Sequence, residues 1–528
     1  MTETSTRTPL LRAAEIFILA LILLLAAYLR LTNVSENPGW YTDEGTWIEI
    51  AQHLSEGRVQ YMAINQSVLL FGRPPLFVGL LAFFFTTGGE GIQTLRILTG
   101  LLGVLSVLGL WWFVRRAHGA LLALLAAVML AIYTNAIIYN RIGFSYNLLT
   151  PFVLLAAWGM WEYLGTQRRR WLALAALAIG LGGLCDLMIL NLLLPLVLVV
   201  LARRWRDLLW SIPLAGTPFV AYVLISLLTI PSNAFLFDLQ FTFGRLNRLS
   251  FINQLAAIPL NLTSLWTNDV WMIPGIIGLF LLPSVRLKRL TLLLFLVPLI
   301  TLARTVTISG ISYYYITPLL PFIALGMASL VYYGIPFVFK TAQDGFERIT
   351  ILYLKRQPRL RAYLIAAGTV LVVFVLVVAP FMVLTGFNVS YLDSGFSVYI
   401  DSLLLDPDAA RAVAVYVNEH IRTDESVIAS PGIGWIFNAN VADFQMMVAY
   451  EGLDTVHLPA DLPRDRYAFD PRYSAARFFV IDNLWVTWAI PNNPPRLGQI
   501  VEDVQENWPL VFEAGKIRVY ENPNLRGN

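Results

Sequence analysis

The chain has 528 residues and a net charge of +3 at pH 7, and 13% of its residues are charged while 57% are hydrophobic. A globular chain is about a quarter charged, so this composition excludes an ordinary soluble protein. The single cysteine, Cys185, excludes an internal disulfide.

The first apolar run, residues 13–29, follows two arginines, Arg7 and Arg12. No small-residue cleavage pattern comes after it. We therefore expect a signal anchor rather than a signal peptide that is removed.

Further apolar runs are long enough to cross a bilayer, which takes roughly 18 or more residues. Lys and Arg in short loops favour the cytoplasmic side, and the strongest basic clusters lie at 115–116, 168–170, 203–206, 286–289 and 355–361. If all of these are cytoplasmic, together with the N-terminus, the predicted spans are 13–31, 95–114, 119–139, 147–164, 171–186, 187–202, 208–230, 270–285, 290–307, 311–336 and 362–385. The sequence thus predicts a polytopic α-helical membrane protein with about 11 transmembrane helices.

Residues 76–85 are apolar but cover only half a span, and Pro74-Pro75 precedes them. A run this short is more often re-entrant or interfacial. We therefore assign the outer loop 32–94 interfacial helices within a membrane domain, residues 1–386.

Residues 387–528 differ in composition, because their net charge is −9 whereas that of the preceding part is +12. Residues 406–421 and 494–506 have helical patterns, and 426–429, 477–481, 510–513 and 517–520 have strand patterns. With an odd number of spans before it, this segment is predicted to be a soluble α/β domain outside the cytoplasm.

The outer loop carries two adjacent carboxylates, Asp43 and Glu44, just after the first span. Adjacent side chains point in different directions on a regular element. One carboxylate can face an active-site cavity while the other makes a structural pair; alternatively, Asp43 only caps the helix that follows.

Arginines on the predicted outer side need a reason, because the positive-inside rule disfavours them there. Headgroup binding or snorkelling is one reason, and it suffices for Arg30 and Arg58. Binding of a lipid phosphate is the other, since the planar guanidinium matches phosphate. The candidate substrate-binding residues are Arg73, Arg96, Arg141, Arg245, Arg248 and Arg304, with Tyr313 and Tyr315. Asp186, between two apolar runs, is either the outer end of a loop or a buried functional acid.

These motifs, in this order, resemble the dolichyl-phosphate-mannose protein mannosyltransferases and the bacterial enzymes that transfer aminoarabinose to lipid A, both of the GT-C superfamily. Asp43-Glu44-Gly45 is similar to their Asp-Glu motif, and Arg73-Pro74-Pro75-Leu76 to their His-Pro-Pro-Leu segment. Leu95-Arg96, Asn140-Arg141 and the Tyr/Pro-rich stretch 313–321 resemble later family features. The resemblance covers residues 10–330.

Two departures from the family pattern bear on the chemistry. Arg73 stands where the family usually has His, and arginine cannot shuttle a proton. Ser145 stands where an acid often follows the outer-loop arginine. A divalent ion usually requires more than one carboxylate, so no metal or other cofactor is expected.

The resemblance implies an inverting membrane glycosyltransferase that moves a hexose or pentose from a polyprenyl-phosphate donor to a hydroxyl of a protein, lipid or glycan acceptor. Asp43 would be the base, and Glu44 is the second candidate catalytic residue. The expected location is a bacterial-type inner membrane, among membrane lipids and without nucleic acid. A lipid or solute transporter or flippase is the alternative, which predicts ionisable residues at the bilayer midplane and inverted repeats.

Overall fold

The computed structural model of the protein describes residues 9–65, 73–229, 234–240, 250–304, 312–353, 357–393 and 403–525. Residues 9–393 are mainly helical, with a two-residue strand β1 (Trp40–Tyr41) and a small hairpin, β2 (Gln60–Tyr61) and β3 (Ile64–Asn65). The helices are α1 (Pro9–Leu31), α2 (Thr42–Ser55), α3 (Pro75–Gly88), α4 (Ile92–Ala117), α5 (Ala120–Ile132), α6 (Thr134–Asn140), α7 (Tyr146–Thr166), α8 (Arg169–Gly183), α9 (Leu193–Leu201), α10 (Leu208–Thr229), α11 (Phe251–Asn268), α12 (Met272–Phe280), α13 (Val285–Ala303), α14 (Leu320–Tyr353), α15 (Pro358–Val373) and α16 (Ala379–Leu392).

Among the described residues, five helices are long and apolar enough to cross a membrane. They are Pro9–Leu31, Ile92–Ala117, Tyr146–Thr166, Trp205–Thr229 and Tyr313–Thr350. The pair α5 and α6 forms a sixth if it is one span bent by 60°. Every predicted span contains helix, but several helices are shorter than the apolar runs, so these runs overstate helix length. The 76–85 run belongs to the 14-residue helix α3.

Arg30 explains how the bend between α5 and α6 is tolerated. The bend frees backbone carbonyls, and Arg30 donates to the carbonyl oxygens of Leu130 and Ala131 at 2.9 Å each and to Asn140 Oδ1 at 2.8 Å. It is fully buried. Snorkelling was therefore the wrong explanation for Arg30, because the guanidinium faces the protein interior and supplies donors where the helix is interrupted.

Residues 403–525 form an α/β domain around a five-stranded sheet, whose strands lie in the order 440–442, 426–428, 478–481, 517–521 and 510–514. Its elements are β4 (Leu404–Leu405), α17 (Pro407–His420), β5 (Ser426–Ile428), α18 (Pro431–Gly434), β6 (Asn440–Ala442), α19 (Phe444–Tyr450), β7 (Phe478–Ile481), α20 (Pro495–Asn507), β8 (Leu510–Ala514) and β9 (Ile517–Glu521). Strands β6, β5 and β7 are parallel, whereas β7, β9 and β8 are antiparallel. The four predicted strands and two predicted helices of this domain are all present.

The α/β domain is joined to the outer loop at the carboxylate motif. Strand β4 pairs antiparallel with β1, which is the strand directly before α2. Gly45 of α2 lies so close to α18 that a Cβ atom would be 1.6 Å from the Pro431 carbonyl oxygen. Trp40 also packs against Trp435, with ring centroids 5.2 Å apart. The third residue of the Asp-Glu-Gly motif is thus a contact point between the two domains.

Candidate active site

A cavity of about 350 Å³ lies between one end of the membrane helices and the α/β domain. This is within the range of roughly 300–1,000 Å³ that is typical of small-molecule sites. The membrane domain contributes residues of α2, of the segment before α3, of the 144–146 turn, of the loop after α8 and of the 314–315 stretch. The α/β domain contributes Leu403, Pro431, the start of α19 and residues of the segments 457–458 and 484–488.

Asp43 and Arg73 form the charged pair of the membrane-side wall. Arg73 Nη2 donates to Asp43 Oδ1 at 3.2 Å, and both side chains stay partly accessible, Asp43 at 40% and Arg73 at 24%. The Arg73 guanidinium also lies over the Trp47 ring, 4.7 Å from its centroid. Stacking on Trp47, one helical turn after Asp43, holds the arginine beside the carboxylate.

Glu44 does not line the cavity, because it forms a structural ion pair. Its carboxylate is 1% exposed and accepts from Arg96 Nε at 2.8 Å and Nη2 at 2.6 Å. It also accepts from the backbone N–H of Tyr41, which caps α2, and from that of Gly143. Glu44 therefore fixes α2 to α4 and to the 142–145 turn. The alternative that Asp43 caps α2 is wrong, because Glu44 takes that role.

Two predicted substrate-binding arginines lie outside the cavity. Arg96 is fully buried and donates, besides Glu44, to the carbonyl oxygens of Val34 and Gly39. Arg141 is also fully buried and donates to those of Leu29, Asn33 and Asn37. These carbonyls lie at the end of α1 and in the loop after it, where helical partners run out. The geometry therefore assigns both arginines a structural role instead of the predicted one.

The remaining predicted residues divide between cavity and interior. Tyr315 lines the cavity. Tyr313 is 6% exposed and donates to Asp269, which also accepts from Tyr133 and from the Trp271 backbone N–H. The structure thus places Tyr313 in the protein interior, where it binds Asp269, and not in the predicted substrate site. Arg304 follows α13 and does not line the cavity. Arg245 and Arg248 lie outside the described residues.

Asp186 lines the cavity near Arg73, although it belongs to a loop between two apolar helices. The Leu76 N–H donates to the Leu184 oxygen at 2.9 Å and fixes this loop against the start of α3. Asp186 Oδ1 accepts from the Met188 N–H at 2.8 Å. The structure thus places Asp186 in a loop, as the first alternative predicted, and also in the lining of the cavity; a functional role for this acid stays a prediction. Ser145, which stands where the family often has an acid, lines the same cavity. Asp186 thus gives the membrane side of the cavity a second acid, besides Asp43, from another position in the chain.

The α/β domain supplies cavity residues that the sequence did not reveal. Asp443 precedes α19 and is 2% exposed, and burial raises its pKa to about 6. His457 Nδ1 lies 2.7 Å from Oδ1 of Asp238, in the helical stretch 234–240. Gln445 and Trp488 complete this side. No sequence motif marks these residues as site residues. Their position at the ends of strands and helices was the one feature that could have indicated them.

A family model agrees with the motifs. Residues 72–237 match the dolichyl-phosphate-mannose-protein mannosyltransferase model. This match includes Arg73-Pro74-Pro75, Arg96 and Arg141, but it does not include Asp43. A comparison with curated protein sequences gives no significant match.

Solved structures share the fold. ArnT from Cupriavidus metallidurans, bound to undecaprenyl phosphate, superposes with a TM-score of 0.61 at 14% identity, over 97% of this chain and 98% of that one. The apo form of ArnT gives 0.60 at 14% identity over the same shares. The Archaeoglobus fulgidus oligosaccharyltransferase tethered with an acceptor peptide gives 0.50 at 12% identity, over 92% and 72%. The predicted resemblance is thus confirmed: the chain is an integral membrane protein with the fold of GT-C glycosyltransferases.

Proposed function

We propose that the protein is a glycosyltransferase that moves a sugar from a polyprenyl-phosphate donor to a hydroxyl acceptor, with Asp43 as the base. The observation that carries this proposal is the Asp43–Arg73 pair, 3.2 Å apart in a cavity between membrane helices and the α/β domain. A base and a phosphate-binding cation are the two groups that this displacement needs.

Arg73 suits the donor phosphate because its planar donor fork matches phosphate oxygens. Its pairing with Asp43 is partly solvent-exposed, so the pair is held weakly. A phosphate that enters the cavity can therefore compete for the guanidinium. Once Arg73 bonds to phosphate, the Asp43 carboxylate is released for the acceptor hydroxyl.

In the reaction, the acceptor oxygen forms a bond to the anomeric carbon of the donor as its proton passes to Asp43. The bond from that carbon to the phosphate oxygen breaks, and polyprenyl phosphate leaves as an anion that Arg73 stabilises. A single displacement of this kind inverts the anomeric configuration. Positioned bases contribute typically 10²–10⁴-fold, and charge stabilisation of the leaving group adds to that.

The polyprenyl-phosphate donor is supported by the names of the similar proteins. The matching family model is that of dolichyl-phosphate-mannose-protein mannosyltransferases, and the ArnT structure holds undecaprenyl phosphate. The cavity at the outer helix ends suits a substrate whose chain stays in the bilayer while its head group reaches Arg73. Both a hexose and a pentose are compatible with these similarities and with the cavity.

We further propose that the cavity faces outward, with the N-terminus in the cytoplasm and the α/β domain outside, because the basic clusters lie at the opposite helix ends. We also propose that the reaction needs no divalent metal, since Arg73 supplies a positive charge for the donor phosphate beside Asp43. Transfer in the presence of EDTA should then equal transfer in its absence.

The test is transfer from a panel of labelled polyprenyl-phosphate sugars by the full-length protein in nanodiscs, compared with the Asp43→Asn variant. We expect one donor to yield polyprenyl phosphate and an inverted product with the wild type and not with Asp43→Asn. Asp461→Asn, an exposed acid of the α/β domain, is the matched control. Transfer by no donor would remove the proposal and favour the transporter alternative.

A further inference from the structure

The domain-side wall of the cavity has no part in the reaction described above, although it is built from polar groups. Its members are Asp443, Gln445, His457 and Trp488, together with Tyr61 from the β2–β3 hairpin. The membrane-side wall already contains the base and the cation for the donor. The second substrate of a transferase must therefore be held by the groups that face them.

Asp443 uses its two carboxylate oxygens unequally. Oδ1 accepts from the N–H groups of Gln445 at 3.0 Å and Met446 at 2.9 Å, which caps α19. Within the described part of the chain, the hydrogen bond that Oδ2 accepts is a long one, 3.5 Å, from the Tyr61 hydroxyl. A buried carboxylate oxygen without a good donor is costly, and a ligand hydroxyl in the cavity would supply that donor.

The neighbours of Asp443 suit a ring that carries several hydroxyls. Gln445 Oε1 accepts from the His457 backbone N–H at 3.0 Å, so its NH₂ group is the donor that it can offer to a ligand. Trp488 is half-buried and packs on Phe444 with ring centroids 6.0 Å apart. An aromatic ring beside a carboxylate and an amide presents an apolar face and directional polar groups, as the two faces and the edge of a sugar ring require.

The charges of the cavity constrain the ligand further. Four carboxylates line the described part of the cavity: Asp43, Asp186, Asp238 and Asp443. Arg73 is the one guanidinium among these lining residues, and His457 is paired with Asp238. Among the described residues, one guanidinium is thus available for one donor phosphate. A second anion would lie among four carboxylates in this part of the cavity, and like charges in a partly buried site repel one another.

We propose that the domain-side wall, with Asp443, Gln445 and Trp488, is the acceptor subsite and that it binds an uncharged sugar ring of a glycan or glycolipid. This inference rests on the proposed function and names its acceptor class. The Asp443 Oδ2 oxygen accepts a hydrogen bond from one hydroxyl of the ring, while the ring face lies on Trp488. A peptide or an anionic acceptor is thereby disfavoured.

Asp443→Asn tests the Oδ2 position specifically, because asparagine keeps an oxygen for the α19 cap and replaces Oδ2 by an NH₂ group. The matched control is Asp482→Asn. Asp482 is likewise buried in the α/β domain, caps a neighbouring turn through the Leu484 N–H at 2.9 Å, and does not line the cavity. A loss seen in the first variant alone reports on the cavity and not on folding.

The first measurement is binding of neutral methyl glycosides of glucose, mannose, galactose and arabinose to the donor-free protein in nanodiscs, by saturation-transfer NMR. Methyl glucuronide is the anionic match to methyl glucoside. We expect at least one neutral glycoside to bind better than the glucuronide. Asp443→Asn should weaken this binding roughly 10- to 100-fold. Trp488→Ala should also weaken it, and Asp482→Asn should leave it unchanged. Binding that is equal in all variants, or absent for every neutral glycoside, would overturn the proposal.

The second measurement separates this inference from the proposed function. With the donor that the wild type uses, Asp443→Asn should raise the acceptor KM and leave the donor KM unchanged. A Ser/Thr peptide that is a better acceptor than the glycosides would overturn the subsite. If no donor supports transfer but Asp443-dependent glycoside binding persists, the proposed reaction fails and the sugar subsite stands.

Discussion

Asp43 and Glu44 are adjacent in the chain, yet Asp43 lies in the cavity beside Arg73 whereas Glu44 is buried in an ion pair with Arg96. The first carboxylate stays reachable by a substrate, and the second joins α2 to α4. Stability and activity should therefore separate between two neighbouring positions of one motif.

Glu44→Gln should destabilise the protein, and Asp43→Asn should not. The Glu44 change leaves Arg96 buried without a charged partner, which costs roughly 3–5 kcal/mol. The Asp43–Arg73 pair is partly exposed and contributes roughly 0–1 kcal/mol. Thermal unfolding of both variants in nanodiscs measures the difference, and equal unfolding temperatures would contradict the assigned roles.

Gly45→Ala should separate the two domains, because the new Cβ atom would lie 1.6 Å from the Pro431 oxygen. Gly79→Ala is the matched control, since a Cβ atom on this other helical glycine meets nothing within 4 Å. We expect faster proteolysis of the α/β domain and loss of transfer in the first variant alone. Normal proteolysis of Gly45→Ala would show that α2 and α18 are not in tight contact.

Arg73→Lys should weaken donor binding even though it keeps the charge. Lysine lacks the planar fork that bonds to two phosphate oxygens, and it stacks less well on Trp47. We expect the donor KM to rise by roughly tenfold or more, with Arg168→Lys, an exposed residue at the far helix ends, as the control. A donor KM that stays at the wild-type value would assign the phosphate to another cation.

The pH dependence of stability should report on Asp482. Burial raises its pKa to about 6, although hydrogen bonds from Ser430 and backbone N–H groups oppose this. The folded state then binds a proton that the unfolded state has already lost, so this group's contribution to stability falls as pH rises from about 4 to about 6. Asp482→Asn should accordingly lose less stability than the wild type between pH 4.5 and 7.5. Parallel unfolding curves for both proteins over this range would contradict the raised pKa.

Much of the structure could be predicted from patterns among residues that are close together in the chain. Apolar runs located the membrane helices, and short segments of strand-forming residues located β5, β7, β8 and β9. The direction rule for adjacent side chains correctly gave Asp43 and Glu44 different surroundings. These features depend on neighbours in the chain, which a sequence displays directly.

The remainder depends on contacts between distant residues. Arg96 and Arg141 look like phosphate ligands in the sequence, but they satisfy carbonyls of an interrupted backbone that only the folded chain reveals. Asp443 lies 400 residues after Asp43 and reaches the cavity because β4 pairs with β1 and Gly45 packs on α18. Strand β4 has two residues and pairs with β1 rather than with the sheet of its own domain, a partner that its sequence does not show.

The role of Asp43 is tested most directly by the single-turnover transfer rate of Asp43→Asn when it is saturated with the donor that the wild type uses, with donor binding measured separately. We expect donor binding no weaker than in the wild type, because Arg73 is no longer paired with a carboxylate. We also expect a transfer rate lowered by roughly 10²–10⁴-fold. A variant that binds donor and transfers sugar at the wild-type rate would contradict Asp43 as the base.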